Sequence, residues 1–388
     1  MHFDKPRLSA MVLISLMGGL LTEQGQATEI NFSGFADFTA GDVLGGSQNG
    51  KSSFNYLNYK CPCFISNYEY AGIYQNKGWN AANESMVGLQ ANAKVDDKLS
   101  AVLQIDARGL NGYQPSVDWA YASYQLTNTF TVQAGHKRLP LYMYSDYNYV
   151  GYAFPWVRPP VDLYGWEIYS YDGANVQYNN AFGDWAIATN TWAGNQSSPN
   201  APGLTNVYNG YTTDTSWRDI IGTSIDISND YVHLRGVYMQ NKVFQGTPNP
   251  GIPSTQTAGT PDTPLFPSNN EQQIWGAAFN VDYMNMLWRS EYNFVRRPQM
   301  GYIAPSYLTG AGYKWDDVTA LYTYSKYWEG TTSTTYQPQR DNTRSFTLRW
   351  DFRPSAALKV QYDLFKDHSL YSFMGNSKLL TVALDFVF

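Results

Sequence analysis

The chain has 388 residues, among them 12 Trp, 32 Tyr and only two Cys, and a formal net charge of −6. Charged residues are 15% of it, against about 25% in an ordinary soluble domain, yet the mean hydropathy is −0.41. The first value disfavours a typical soluble globule and the second excludes a bundle of membrane helices; no strongly basic patch points to nucleic acid. Apolar residues that alternate with polar ones along membrane-spanning strands reconcile the two.

The N-terminus reads as an export signal. Lys5 and Arg7 precede Leu8 to Leu21, an uncharged, mostly apolar run of 14 residues, too short to span a bilayer. Gly25-Gln26-Ala27 then supplies a small-x-small cleavage pattern. Residues 1–27 are expected to be removed, leaving residues 28–388 as the folded unit. Two acids and two bases leave together, so the balance stays at −6.

From Glu29 the pattern is of alternating strands. Glu29 to Thr39 puts Ile30, Phe32, Gly34, Ala36 and Phe38 on one face. The polar stretch from Gly41 to Asn83 reads as a long first loop. Glu84–Lys94 and Lys98–Arg108 then form a hairpin across Val95-Asp96-Asp97, with Leu99, Ala101, Leu103, Ile105 and Ala107 on the apolar side. The same unit recurs over Val117–Leu126 and Phe130–Arg138, Trp166–Asn179 and Asp184–Ala193, Trp217–Ile227 and Asp230–Gln240. It continues over Glu271–Tyr283 and Met286–Arg296, Tyr302–Lys314 and Asp317–Trp328, Asn342–Phe352 and Ala356–Lys366. Ser377 to Phe388 closes the series, with Leu380, Val382, Leu384, Phe386 and Phe388 at period two and Thr381, Ala383 and Asp385 opposite.

The expected fold class is all-β: a sixteen-stranded antiparallel transmembrane barrel with short periplasmic turns and long outer loops. Aromatics beside the turns, such as Tyr124, Phe130, Tyr283, Trp288, Trp350 and Phe388, suit interfacial girdles. The Pro-, Thr- and Gly-rich stretch from Asn241 to Asn270 reads as a surface loop. A soluble secreted β-sandwich is the competing architecture, but it gives no reason for long connections to gather at one end.

The first strand (Ile30-Asn31-Phe32-Ser33-Gly34-Phe35), the run His136 to Tyr142, the stretch from Arg349 to Tyr362 and the terminal Leu384-Asp385-Phe386-Val387-Phe388 together resemble the Gram-negative outer-membrane porins of the general sixteen-stranded kind. The resemblance implies an outer-membrane location, a homotrimer, outer-membrane lipid as surroundings, no cofactor, no metal, and passive diffusion of small hydrophilic solutes or ions. It also implies that the third outer loop, here 139–165, folds inward as the constriction.

In that loop the candidate constriction or solute-binding residues are Tyr144, Asp146, Tyr147, Tyr149, Tyr152, Trp156, Arg158 and Asp162. General porins carry more acid here, so a strong transverse field is in doubt. Aromatic rings stack on the apolar faces of sugar-like solutes while Tyr hydroxyls hydrogen-bond; packing of the rings against the wall is the plainer alternative. Pro140, Pro155, Pro159 and Pro160 predict an irregular loop. Asp106, Arg108, Arg235, Arg289, Glu291, Arg349, Asp351 and Lys359 fall on inward faces as candidate pore-wall residues. A substrate-specific channel, or a plugged barrel acting as receptor or scaffold, stands as the rival reading.

Cys61-Pro62-Cys63 is open to a local disulfide pinning the first loop, an intermolecular bridge or, thinly, a metal site. No G-x-S-x-G or H-E-x-x-H run occurs, and the three histidines after the signal, His136, His233 and His368, are scattered; an enzyme is not expected.

Overall fold

The computed structural model describes residues 29–47, 59–205, 213–246, 270–333, 338–369 and 374–388. The expected signal segment and residues 247–269 of the Pro-rich loop lie outside the described residues.

Sixteen antiparallel strands close into one barrel. They are β1 (Glu29–Ser47), β2 (Met86–Lys94), β3 (Leu99–Arg108), β4 (Pro115–Gln125), β5 (Phe130–Arg138), β6 (Ser170–Phe182), β7 (Trp185–Ser198) and β8 (Asp214–Ser228). The second half comprises β9 (Val232–Gly246), β10 (Glu271–Tyr283), β11 (Met286–Arg297), β12 (Tyr302–Trp315), β13 (Val318–Trp328), β14 (Arg340–Arg353), β15 (Ala356–Asp367) and β16 (Asn376–Val387). Each pairs with the next. β1 closes the ring: its first half pairs with β2, from Glu29↔Lys94 to Asp37↔Met86, and its later part with β16, from Phe35↔Val387 to Ser47↔Asn376. Closure satisfies backbone groups that lipid could not.

Alternation sets the two faces. On β16, Ser377, Leu379, Thr381, Ala383 and Asp385 are buried inward, and Leu380, Val382, Leu384 and Phe386 point out. Phe32 and Phe38 are 69% and 53% exposed on the outer face, an arrangement suited to lipid and costly in water. At the short-turn end Tyr283, Trp288, Trp315, Trp350 and Phe388 are all exposed, the girdle expected there. The turns are held locally: the Asp96 carboxylate accepts from the Lys98 and Leu99 N–H groups at 2.7 and 2.8 Å, an Asx device.

Several boundaries differ from the sequence expectation, among them the far end of β7, which reaches Ser198. β1 runs on to Ser47 because Gly41–Ser47, despite its polarity, pairs with Asn376–Thr381 and keeps the alternation of buried Val43 and exposed Leu44. β9 likewise continues to Gly246 against Asp214. β6 begins at Ser170 rather than Trp166. Trp166 donates its indole N–H to the Leu163 carbonyl at 3.1 Å and its backbone N–H to the Tyr169 hydroxyl at 3.1 Å, so Trp166 to Tyr169 finish the preceding loop.

The inner wall is less wet than alternation suggests. Val237, Met239, Ile274, Val295, Leu308 and Leu321 point inward from β9 to β13 and are buried in one apolar cluster with loop residues between β5 and β6. Wide open porin lumens are polar; this half of the lumen is filled by packing.

Candidate pore constriction

The segment 139–169 joins β5 to β6. Its four prolines remove N–H donors and fix φ; it folds as 3₁₀ turns at Ser145–Tyr147 and Gly151–Ala153 and one short helix, α1 (Val161–Tyr164). Its turns pair part of its backbone internally, as Tyr147 N–H with the Tyr144 carbonyl and Val150 N–H with the Tyr147 carbonyl; other backbone groups pair with the wall. Arg235 of β9 donates to the Pro140 carbonyl at 2.6 Å. Glu291 of β11 accepts from the Met143 N–H at 3.2 Å and the Tyr164 hydroxyl at 2.6 Å. Asp37 of β1 accepts from the Gly151 N–H at 3.1 Å. Gln361 of β15 accepts from the Val157 N–H at 2.9 Å. The segment therefore crosses the barrel interior.

Two pore-wall cations read from the sequence serve this bracing. Lys359 is fully buried and donates to the carbonyls of Gly151, Phe154 and Trp156 at 2.5, 2.9 and 2.8 Å, with Asp385 at 2.8 Å. Arg349 donates to the Tyr152 and Phe154 carbonyls at 2.8 and 2.9 Å while paired with Asp351 at 2.7 Å. Lys359 thus holds the loop and does not line water.

The loop side chains divide into two groups. Trp156 is fully buried, donates to Thr323 at 2.8 Å and packs edge-on to Tyr144 at 5.3 Å. Tyr144 in turn accepts from Asn280 at 3.1 Å. Arg158 is buried between Glu84 at 2.5 Å and Asp363 at 2.8 Å. Asp162 is buried and accepts from Ser325; burial raises its carboxyl above the usual range, against hydrogen bonds that lower it. These four are packing and anchoring groups, and none offers a free stacking face. Tyr152 is half-buried, its ring 4.7 Å from Arg349.

Asp146 and Tyr147 form the second group. Asp146 is exposed and Tyr147 half-exposed inside the barrel. Desolvation deep inside the barrel raises the Asp146 carboxyl above the usual range, and Arg235 and then Lys137 are the cations that most strongly pull it back down. Lys137, inward on β5, donates to Gln133 and to Asn175 at 3.0 Å and lies 4.5 Å from the Tyr121 ring. Arg235 is also paired with Asp226 at 3.0 Å. The wall continuing from here, Gln90, Asn92, Tyr121, Gln133, Gln177 and Asn190, is polar and half-exposed. Acid on the loop and cations on the wall thus act on one another here. Lys137 was not among the sequence candidates; its place with Thr131 and Gln133 on one face of β5 was the signal available.

Nearer the outer mouth, Arg108 pairs with Asp106, Arg138 lies 2.5 Å from Asp118, and Tyr149 packs against both guanidinium groups. The Tyr149 hydroxyl donates to Glu69, which belongs to the first loop. That loop carries a small hairpin, Cys63–Asn67 with Gly72–Gln75, and a disulfide joins Cys61 to Cys63. Phe64, Ile65 and Tyr74 of the hairpin pack on Val43, Phe365 and Leu379 of the inner wall. A cavity of about 80 Å³ remains between hairpin and third loop, lined by Asp37, Asn83, Glu84, Arg108, Tyr149 and Arg158.

At the short-turn end a vestibule of about 370 Å³ is lined by Asp282, Arg289, Lys314, Arg349 and Asp351. Arg289 pairs there with Asp282 at 2.7 Å.

No protein-family model and no curated protein sequence matches the chain. Solved structures do. The outer-membrane channel DcaP of Acinetobacter baumannii aligns over 93% of this chain and 98% of its own, with TM-score 0.59 and 11% identity. OmpF of Salmonella typhi, in complex with daunomycin, aligns over 93% and 98%, with TM-score 0.56 and 12% identity. OmpT of Vibrio cholerae, in its trimer form, aligns over 94% and 100%, with TM-score 0.55 and 10% identity. The chain has the fold of the outer-membrane porins.

Proposed function

We propose that this protein is an outer-membrane porin through which small hydrophilic solutes and ions diffuse passively, with the third loop as its constriction and no catalytic role. The observation that carries the reading is the exposed Asp146 at the loop turn, facing Lys137 and Arg235 beside a polar, half-exposed wall. Opposed charges across a narrow wet passage orient ions and dipoles without binding them tightly. Planar-bilayer recording of detergent-purified protein under a salt gradient tests it: stepwise, ohmic current is expected, and deletion of residues 144–164 should raise conductance. Insertion without current would refute the open channel.

A specific observation favours a second reading, a substrate-specific or plugged barrel: the apolar filling around Trp156 and the first-loop hairpin seated in the mouth. Non-conducting insertion would promote it.

A homotrimer fits the outer face of β2 to β7, where Ala93, Ala101, Ala122, Ala134, Ala174 and Ala193 pair strand to strand in one row of small residues. The trimer form recorded for OmpT carries over as part of this proposal, and the mass of the detergent-solubilised complex tests it.

A further inference from the structure

The cavity of about 80 Å³ between the first-loop hairpin and the third loop is set apart by three side chains that leave hydrogen-bonding atoms over. Asp37, Asn83 and Arg108 line it and are only 5%, 7% and 5% exposed. Asp37 accepts from the Gly151 N–H through one carboxylate oxygen; the other, Oδ1, receives no hydrogen bond from any described residue. The Asn83 amide nitrogen and Arg108 Nε donate to no described residue. Buried polar groups in folded proteins are nearly always partnered, because burying one without a partner costs more than a hydrogen bond gains. One acceptor and two donors around a single cavity are the complement of a ligand that can both donate and accept.

The walls narrow the class of ligand. A single water needs about 10–15 Å³ of such space and about three polar partners, so water alone would enter as a cluster. Met86, Leu110, Phe154 and Val157 give the cavity apolar walls, beside which clustered waters go unpartnered. An anion finds no free cation among the described lining residues: Asp106 holds Arg108, and Glu84 and Asp363 hold Arg158 at 2.5 and 2.8 Å. An ammonium ion donates to Asp37 but accepts from neither Asn83 nor Arg108. A hydroxyl does both, and adjacent hydroxyls on a carbon chain also turn C–H groups to the apolar walls. The rim is open to a solute, since Asn67, Leu110 and Asn148 are half-exposed there.

We propose that this cavity is a binding site for a small neutral polyol, whose adjacent hydroxyls donate to Asp37 Oδ1 and accept from Asn83 and Arg108. The site lies apart from the Asp146 passage and from the covered rings of Tyr144 and Trp156. The proposal deepens the substrate-specific reading of the barrel and rests on it. Binding at equilibrium and current across a bilayer are separate measurements, so the failure of one is told apart from the failure of the other. A barrel that holds the polyol and passes no current keeps the site and loses the open channel.

The test titrates the detergent-purified protein with erythritol, with butane-1,4-diol, which has the same carbon chain without the inner hydroxyls, and with glycine as a zwitterion. Erythritol should bind about tenfold or more tightly than the diol, because a site built to hydrogen-bond hydroxyls rejects the analogue that lacks them. Asn83→Asp keeps nearly the same shape and loses the donor; it should weaken erythritol about tenfold and leave the diol unchanged. No binding of erythritol by the wild type overturns the proposal and leaves the cavity to water. Equal binding of erythritol and the diol also overturns it, since the apolar walls alone would then select, and neither result needs a variant to fold. Tighter binding of glycine would assign the site to a zwitterion. Unchanged erythritol affinity in Asn83→Asp would place the polyol elsewhere in the lumen. Either of these results overturns the proposal as well.

Discussion

The ring of Tyr149 lies 3.7 Å from the guanidinium carbon of Arg108. Arg138 approaches the same ring at 3.7 Å; two such groups cannot share one face, so the tyrosine separates like charges that would otherwise meet. Asp106 and Asp118 neutralise the pair from the wall side. The Tyr149 hydroxyl reaches on to Glu69 in the first-loop hairpin. A single side chain thus links third loop, first loop and barrel wall.

Glu69 makes this contact pH-sensitive. Burial raises its carboxyl above the usual glutamate range, although Arg108 and Arg138 pull it down. The docked hairpin therefore takes up a proton that the undocked one would not hold. Docking is favoured as pH falls through the raised value and weakens as pH climbs above it. Conductance of the wild type should rise with pH across that interval, and Glu69→Gln should flatten the curve. A wild-type conductance indifferent to pH there refutes the link.

Lys359 is the group whose loss should matter most to the loop. It is fully buried, and it pairs with buried Asp385 while satisfying three loop carbonyls. Lys359→Ala leaves a buried carboxylate uncompensated, a change that costs about 3–5 kcal/mol. The variant should unfold at lower temperature in detergent, and protease added from outside should cut within residues 139–169. A variant as heat-resistant and protease-resistant as the wild type would show that Lys359 does not brace the loop.

Much of this was legible beforehand because a closed barrel repeats one rule. The alternation of Leu380 and Thr381, and of Leu103 and Gln104, assigns faces without tertiary information. The boundaries that slipped lie where pairing, not composition, decides: Gly41 to Ser47 looks like loop but has β16 beside it. The filling of the lumen was less legible. Met239 and Ile274 alternate like any inward residue, and only the loop that covers them explains why they are apolar. Whether Trp156 and Tyr144 stack on a solute or pack on the wall stayed open, because sequence shows chemistry but not which face is covered. Lys137 and Arg138 were both overlooked as pore-wall residues, because each sits at the strand end where the third loop begins.

Asp146 carries the exposed acid of the passage, opposite Arg235 and Lys137. Asp146→Asn removes the acid from this polar stretch and leaves both cations. Selectivity should shift toward anions, read as a displaced reversal potential in a salt gradient, and more so at low ionic strength because screening weakens the field. An unmoved reversal potential places the ion path elsewhere.

The Cys61–Cys63 bond closes a three-residue loop at the start of the first-loop hairpin that packs on the inner wall. Mass measured with and without reductant should differ by two hydrogens in the purified protein. Alkylation of both thiols before reduction would show instead that they are free and that the hairpin is held by Phe64, Ile65 and Tyr74 alone.

The vestibule at the turn end offers the clearest separation of charge from packing. Arg289 pairs with Asp282, and Arg349 with Asp351, each at 2.7 Å, around one cavity. The acids are partly exposed, so their charge persists when the arginines go. Arg289→Ala with Arg349→Ala should leave two unpaired carboxylates at the periplasmic entrance and shift selectivity toward cations. Arg349 also holds the Tyr152 and Phe154 carbonyls, so loosening of the loop would raise conductance at the same time. Arg289→Ala alone, which touches no loop carbonyl among its bonds, should move the reversal potential without changing conductance. If the single variant changes conductance and leaves selectivity alone, the arginine pair shapes the passage by bulk and not by charge.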